Sequence, residues 1–345
     1  MAWLVLVSLV GIRPAAAQAA FSVGTVTAAP GTLVTGTLYV APRGGDSGTD
    51  IPVSILHGSK PGPVLALIAG THGMEYVPIV ALQRLRTAIS PATLAGTVVM
   101  VHVANMPSFL GRTIYYSPVD GKNLNRVFPG KADGTLSERI ADVLTREVID
   151  RATHVVDIHC GDGNESLRPY VYWITTGSPD VAEVGRRLAL ASGFDHIVID
   201  RGRPTDPAQS VYLSNTAILR GKPALTVESG YLAMTDEDSI GRVERAVAGW
   251  LRELGMRAEG PPPVAAPVWI DRSEVLTSAA TGMFYATVER GHSVAAGTVL
   301  GRITDFHGAV VQEVKAPFAG IVLYVLGTPA ISKGEPVAFV GQIQK

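Results

Sequence analysis

The sequence predicts an α/β domain followed by a smaller all-β domain. Three observations carry that reading. Apolar runs at 64–69, 155–158 and 223–227 each stop at a turn rich in polar residues and glycine, as buried strands do. Amphipathic helical patterns separate them. After a proline-rich stretch at 259–267 the composition changes to short strands and glycine turns, with no long helix.

Taken in order, residues 1–19 stand apart. An apolar core at 3–10 is followed by small residues and an Ala-x-Ala site at Ala17–Ala19, the pattern of a secretory signal peptide. The expected location is therefore periplasmic or secreted, with no stable membrane span after cleavage; an uncleaved anchor is the alternative. Residues 21–57 alternate in the manner of two or three antiparallel strands, with another strand at 51–56 and His57 in the loop after it. A buried strand at 64–69 leads into a helix at 77–88, and a strand follows at 97–103. Asn105-Met106-Pro107 breaks the pattern, and a long loop runs over 108–130; loops of that length in compact domains usually carry function. Helices are predicted at 136–150, 180–191 and 239–254, a mostly helical segment at 208–220, and strands at 155–159, 170–174, 196–199 and 223–227. The α/β domain is thus read as 20–258, the linker as 259–267 and the β domain as 268–345.

Composition bounds the function. The chain has 345 residues, 47% hydrophobic and 17% charged, which allows a large core and argues against disorder. A net charge of -1 without a dense basic run argues against nucleic acid as a partner. Cys160 is the only cysteine, so no internal disulfide forms, and it reads as a small packed residue at a strand end.

The chemistry centres on Gly70-Thr71-His72-Gly73-Met74-Glu75, a turn leaving a strand, where open α/β sheets place their ligand sites. An imidazole and a carboxylate three residues apart can reach one zinc ion, and glycines at 70 and 73 permit the tight backbone. A catalytic zinc usually takes a third protein ligand; His159, ending the 155–159 strand, supplies the candidate. The competing reading makes both histidines ordinary turn or core residues. In the long loop, Arg126 offers a fork of donors suited to a carboxylate, Asn125 adds an amide, and Arg112 a second guanidinium. Glu228 closes a buried strand, where a carboxylate acquires a raised pKa and can act as general base.

His72-Gly73-Met74-Glu75, Asn125-Arg126, His159 and Glu228 stand in the order and context of the succinylglutamate desuccinylase/aspartoacylase family, within the zinc carboxypeptidase superfamily, which the chain resembles from about Phe21 to its C-terminus. The resemblance implies a zinc-carboxypeptidase-like mixed sheet flanked by helices. It implies one zinc per chain on His72, Glu75 and His159, and Glu228 as the base. It implies Asn125 and Arg126 on a substrate carboxylate and Arg112 polarising the scissile carbonyl. One departure is Asn123, where many relatives carry Asp; another is the export signal. The implied activity is hydrolysis of an N-acyl amino acid or related amide by water activated on zinc. An exported carboxypeptidase acting on peptides or cell-wall peptides is the close alternative. A non-catalytic binding protein would need a broken ligand set, and all three ligands and the base are present. A homo-oligomer is compatible with the sequence.

The β domain resembles a biotinyl or lipoyl carrier in outline around Val314-Lys315-Ala316-Pro317 but lacks the Met-Lys-Met context, so Lys315 and Lys333 read as surface charges. A lid or rim role is expected, with Tyr285 or His307 as the residues reaching substrate.

Overall fold

In the computed structural model, which describes residues 18–344, a mixed β-sheet runs the length of the molecule. The expected export signal lies outside the described residues except for its last two positions. The chain begins with four strands, where the sequence suggests two or three and a further one at 51–56: β1 (Phe21–Val23), β2 (Val26–Ala28), β3 (Thr32–Val40) and β4 (Thr49–His57). Then follow β5 (Lys60–Ala69), α1 (Tyr76–Ala88), β6 (Ala95–Val101), α2 (Met106–Gly111), α3 (Leu136–Leu144), β7 (His154–His159), β8 (Glu165–Leu167), β9 (Tyr170–Ile174) and α4 (Pro179–Ala191). The α/β part closes with β10 (His196–Asp200), α5 (Leu213–Ile218), β11 (Ala224–Glu228) and α6 (Glu237–Glu253). The C-terminal region adds β12 (Val268–Thr277), β13 (Gly282–Ala286), β14 (Ser293–Val294), β15 (Val299–Thr304), β16 (Val310–Lys315), β17 (Gly320–Leu326), β18 (Ala330–Ile331) and β19 (Pro336–Ile343).

Two local expectations change. The segment after the 95–101 strand is not loop from 108 onward: Asn105 caps α2 by accepting from the Ser108 amide, and Pro107 sits in the first turn, where a missing N–H costs nothing. His57 is buried at the end of β4 rather than in a loop; its Nδ1 lies 2.8 Å from Thr97 Oγ1 and its Nε2 2.9 Å from the Ala19 carbonyl. The 136–150 helix starts as expected, with a capping box between Thr135 and Glu138.

The sheet order is β14-β17-β19-β12-β10-β9-β11-β7-β5-β6-β4-β3, with β8 paired to β17. At its centre β11, β7 and β5 run parallel, and their largely apolar runs are explained by burial on both faces. One face is covered by α1, α4 and α6, with Trp250, Leu82 and Phe194 in its core; the other is covered by α3 and α5 around Ile55, Ile68 and Leu213.

Between α6 and β12 no helix or strand intervenes, and β12 then joins the large sheet. It runs parallel to β10 through 268–270 and continues antiparallel to β19. β8 also reaches across to β17. Backbone ladders and an apolar cluster of Leu167, Tyr170, Val198, Ile270, Tyr324 and Phe339 therefore tie the C-terminal antiparallel region to the α/β part. Strands β13, β15, β16 and β18 form a separate four-stranded sheet.

Candidate metal centre

Parallel strands end at one edge, and the polar residues that follow them meet there. In register, Glu228 of β11 pairs with His159 of β7, while Ala69 of β5 pairs with Ile158. His72 and Glu75 lie on the turn just past β5. Gly70 holds φ +70°, a left-handed conformation costly for other residues. A side chain at Gly73 would strike the carbonyl oxygens of Ser108 and Thr113 at 2.3 Å, so glycine lets this turn pack under the following segment.

The two imidazoles converge. His72 Nδ1 is 2.8 Å and His159 Nδ1 2.9 Å from Glu75 Oε1, and the rings stand 5.1 Å apart. One ligand atom from each of the three residues lies within 4.8 Å of the others, and all three are buried. Glu75 Oε2 is buried with no hydrogen-bond partner, an uncommon loss unless a cation shares the site. The donor set of two nitrogens and a carboxylate suits zinc, and these residues fit such an ion. The far ring nitrogens are held from behind. His159 Nε2 lies 2.9 Å from Asp157 Oδ2, and His72 Nε2 lies 3.3 Å from Asn123 Oδ1. Such partners orient metal-binding imidazoles and set their tautomers. Burial works against ionisation of Glu75, but the two imidazoles beside it hold its carboxyl down to about 2.

Beside this cluster is a cavity of about 580 Å³ lined by His72, Glu75, Glu228, Arg126, Lys122, Asn123, Asp162 and Glu165, and by tyrosines 115, 116, 170, 172 and 324. Burial pushes the Glu228 carboxyl well above the usual range; His159 opposes this, and the negative Glu75 and Glu165 reinforce it. Arg126 lines the rim, donates to the Asn125 carbonyl at 2.8 Å and lies 4.8 Å over the Tyr212 ring; among the described residues it has no carboxylate partner.

Two residues expected at the substrate are placed outside the cavity lining. Asn125 does not face the cavity: its Nδ2 donates to Asp157 Oδ2 at 3.1 Å and its Oδ1 accepts from the Leu213 amide at 2.9 Å, which makes it a buried brace behind His159. Arg112 caps α2 in the left-handed region, φ 51°, with its side chain exposed and away from the cavity lining. Tyr285 and His307 do not line it either. Tyr285 lies on the separate four-stranded sheet and His307 in the hairpin between β15 and β16, whereas the roof comes from Val275, Tyr324, Pro336 and Phe339 on or beside β12, β17 and β19. Cys160 is buried, and burial pushes its thiol up, which suits a packed residue.

Several residues of the site escape the sequence reading. Asp157 shares the face of β7 that carries His159, a consequence of strand periodicity that is a usable signal. Asp162 follows His159 at the spacing by which Glu75 follows His72. Tyr115 and Tyr324 carry no local signal; only the fold brings them here.

The sequence profile of the succinylglutamate desuccinylase/aspartoacylase catalytic domain matches residues 61–254, more than half of the chain. An N-alpha-acetyl-L-2,4-diaminobutyric acid deacetylase of Halomonas elongata is 29% identical over 304 residues, covering 85% of this chain and 86% of that one. The product-bound ectoine utilization protein of Ruegeria pomeroyi is 26% identical and superposes with a TM-score of 0.79 over 90% of this chain and 95% of that one. A succinylglutamate desuccinylase of a Silicibacter species, 22% identical, gives 0.80 over 94% of this chain and 100% of that one, and shows the shared fold.

Proposed function

The chain belongs to the succinylglutamate desuccinylase/aspartoacylase family, and from that premise we propose that it is a zinc-dependent amidohydrolase that removes an acyl group from an N-acylated amino acid. The observation that carries the proposal is the convergence of His72 Nδ1, His159 Nδ1 and Glu75 on one point, with Glu228 in register beside His159. The Halomonas deacetylase supports the substrate class.

A zinc ion on these three residues would supply Lewis acidity to the reacting water and to the scissile carbonyl. Glu228, buried and raised in pKa, takes a proton from the attacking water as its oxygen bonds to the carbonyl carbon. The C–N bond then breaks, and Glu228 passes that proton to the departing amine. Arg126 at the rim binds the amino acid's carboxylate through its guanidinium fork. Asp157 and Asn125 hold His159 in place from behind. Arg126 and Lys122 are cationic side chains that line the cavity and, with the ion, are the candidates for the oxyanion's positive partner. A cavity volume of about 580 Å³ favours a small acylated amino acid over a polypeptide.

The test is a metal analysis of purified protein together with a panel of N-acyl amino acids and short peptides. One zinc per chain and release of free amino acid from the acylated substrates are expected. Cleavage of peptides alone would shift the reading to a carboxypeptidase. Export belongs to the same proposal, on the apolar run at 3–10 and the Ala17–Ala19 site. N-terminal sequencing of protein recovered from the periplasm or medium checks it, and a chain that keeps its first residues refutes cleavage.

A further inference from the structure

Arg126 borders two voids at once. One is the metal cavity; the other is a compartment of about 560 Å³ that shares Arg126, Tyr172, Val275 and Phe339 with it. Arg203, from the segment between β10 and α5, lines only this second compartment. The two guanidiniums lie against one ring: the Arg203 carbon is 4.1 Å and the Arg126 carbon 4.8 Å from the centre of Tyr212. Each keeps donors in hand. Arg203 donates its Nε to Asp200 Oδ2 at 2.5 Å, its side chain is 12% exposed, and among the described residues its terminal nitrogens have no acceptor. Arg126 donates one terminal nitrogen to the Asn125 carbonyl at 2.8 Å. A guanidinium carries five N–H groups, so both forks remain available to a ligand.

Backbone contacts fix the ring between them. Val211 and Phe128 exchange both main-chain hydrogen bonds, at 2.9 and 3.3 Å, and the Leu213 amide donates to Asn125 Oδ1 at 2.9 Å. The residues on either side of Tyr212 are therefore tied to those around Arg126. Val211 holds φ 69°, a left-handed conformation that a β-branched residue rarely adopts. Strain of this kind persists only where surrounding contacts impose it, and it gathers at ligand sites. Asn215 Nδ2 donates to the Pro204 carbonyl at 2.8 Å, which ties the loop carrying Arg203 to α5.

We propose that Arg203 is a second carboxylate-binding residue, and that it and Arg126 together hold the carboxylate on the amine part of the substrate, with Tyr212 as the shelf that sets their spacing. This rests on the deacylase reading and adds a specificity-determining residue to it. Two guanidiniums this close repel each other. Asp200 offsets the charge of one, and a substrate carboxylate offsets that of the other. Stacking on an aromatic face orients each fork without using its outward N–H groups. A carboxamide in place of the carboxylate brings no negative charge and leaves donors of the pair unmatched. The chain should therefore demand a free carboxylate on the amine that it releases.

The experiment uses the full, zinc-loaded chain, the best substrate found among N-acyl amino acids, and the carboxamide of that substrate. The carboxylate form should exceed the carboxamide in kcat/KM by at least about a hundredfold, because the carboxamide strands donors built for an anion. Arg203→Ala should raise KM for the carboxylate form about tenfold or more, keep kcat within about threefold, and leave kcat/KM for the carboxamide unchanged. Arg203→Lys should restore only part of the loss, since an ammonium keeps the charge but not the fork. Tyr212→Phe should match the wild type, and Tyr212→Leu should match Arg203→Ala. Bound zinc and Tm are measured beside each assay; should Arg203→Ala not fold, Arg203→Lys and the two Tyr212 variants decide. An unchanged KM, or an equal loss on carboxylate and carboxamide, overturns the proposal while the deacylase reading stands. No hydrolysis of any N-acyl amino acid defeats the deacylase reading. The clamp is then read by calorimetry: N-acetylglycine should bind more tightly than N-acetylglycinamide and lose that advantage in Arg203→Ala, and equal binding or none overturns it.

Discussion

The floor and the roof of the cavity come from different parts of the chain and from different kinds of residue. The floor is made of His72, Glu75 and Glu228, with His159 against Glu75 beside them, polar groups at the ends of three adjacent parallel strands. The roof is made of Val275, Tyr324, Pro336 and Phe339 from the C-terminal antiparallel strands, and is largely apolar. The floor is buttressed by buried polar contacts: Asp157 and Asn125 behind His159, Asn123 behind His72. The roof is held by backbone ladders and an apolar cluster. The difference teaches a division of labour. Reacting groups need fixed polar partners within a few tenths of an ångström, which the ends of a buried sheet supply. Size selection needs only a surface of the right shape, which a docked β region supplies.

If that division holds, substitutions in the floor should abolish chemistry and those in the roof should alter preference. The largest effect is expected for His159→Ala, which should bring bound zinc below one per chain and activity to background; elemental analysis beside the assay checks it, and a full zinc complement would break the assignment. Chelation of the wild-type chain should have the same effect, reversed by added zinc. Glu228→Gln should keep its metal yet lose roughly 10²- to 10⁴-fold in kcat, the usual contribution of a general base. A near-normal kcat in that variant would leave the floor without its proton carrier.

Asp157→Asn sharpens the comparison within the floor. Its loss from behind His159 should weaken zinc binding by about 10- to 100-fold, measured by competition with a chelating dye. Asn123→Asp should move affinity in the opposite direction, because a carboxylate would then back His72 as Asp157 backs His159. The smallest effect is expected for Val275→Ala. This side chain is 49% exposed at the roof, so stability should shift by no more than about 0.5 kcal/mol, while KM ratios between short and long acyl groups change a few-fold. A fall in kcat as large as that of the floor variants would mean that the roof takes part in the chemistry.

Much of the floor is legible in the order of residues alone. The apolar run at 64–69, the glycines at 70 and 73 and the His-x-x-Glu spacing are local features, and local features follow from strand periodicity and backbone freedom. The same holds for His159 and Glu228 at the ends of apolar strands, and the family resemblance rests on them. The placement of Asn125 and Arg112 is not legible in sequence because a loop's residue types say little about which way its side chains point. Asn125 turns inward to brace β7, and Arg112 is carried outward by a left-handed helix cap.

Residue pattern is thus enough for the strand-turn-helix order, the identity of the candidate ligands and base, and the change of composition near residue 260. It does not say that β5, β7 and β11 are neighbours, because sheet order depends on long-range pairing rather than on local periodicity. Nor does it say that β12 extends the same sheet and brings Tyr324 over Asp162 and Glu165. Those side chains are far apart along the chain, and only hydrogen-bonded ladders and a shared apolar core bring them to one cavity.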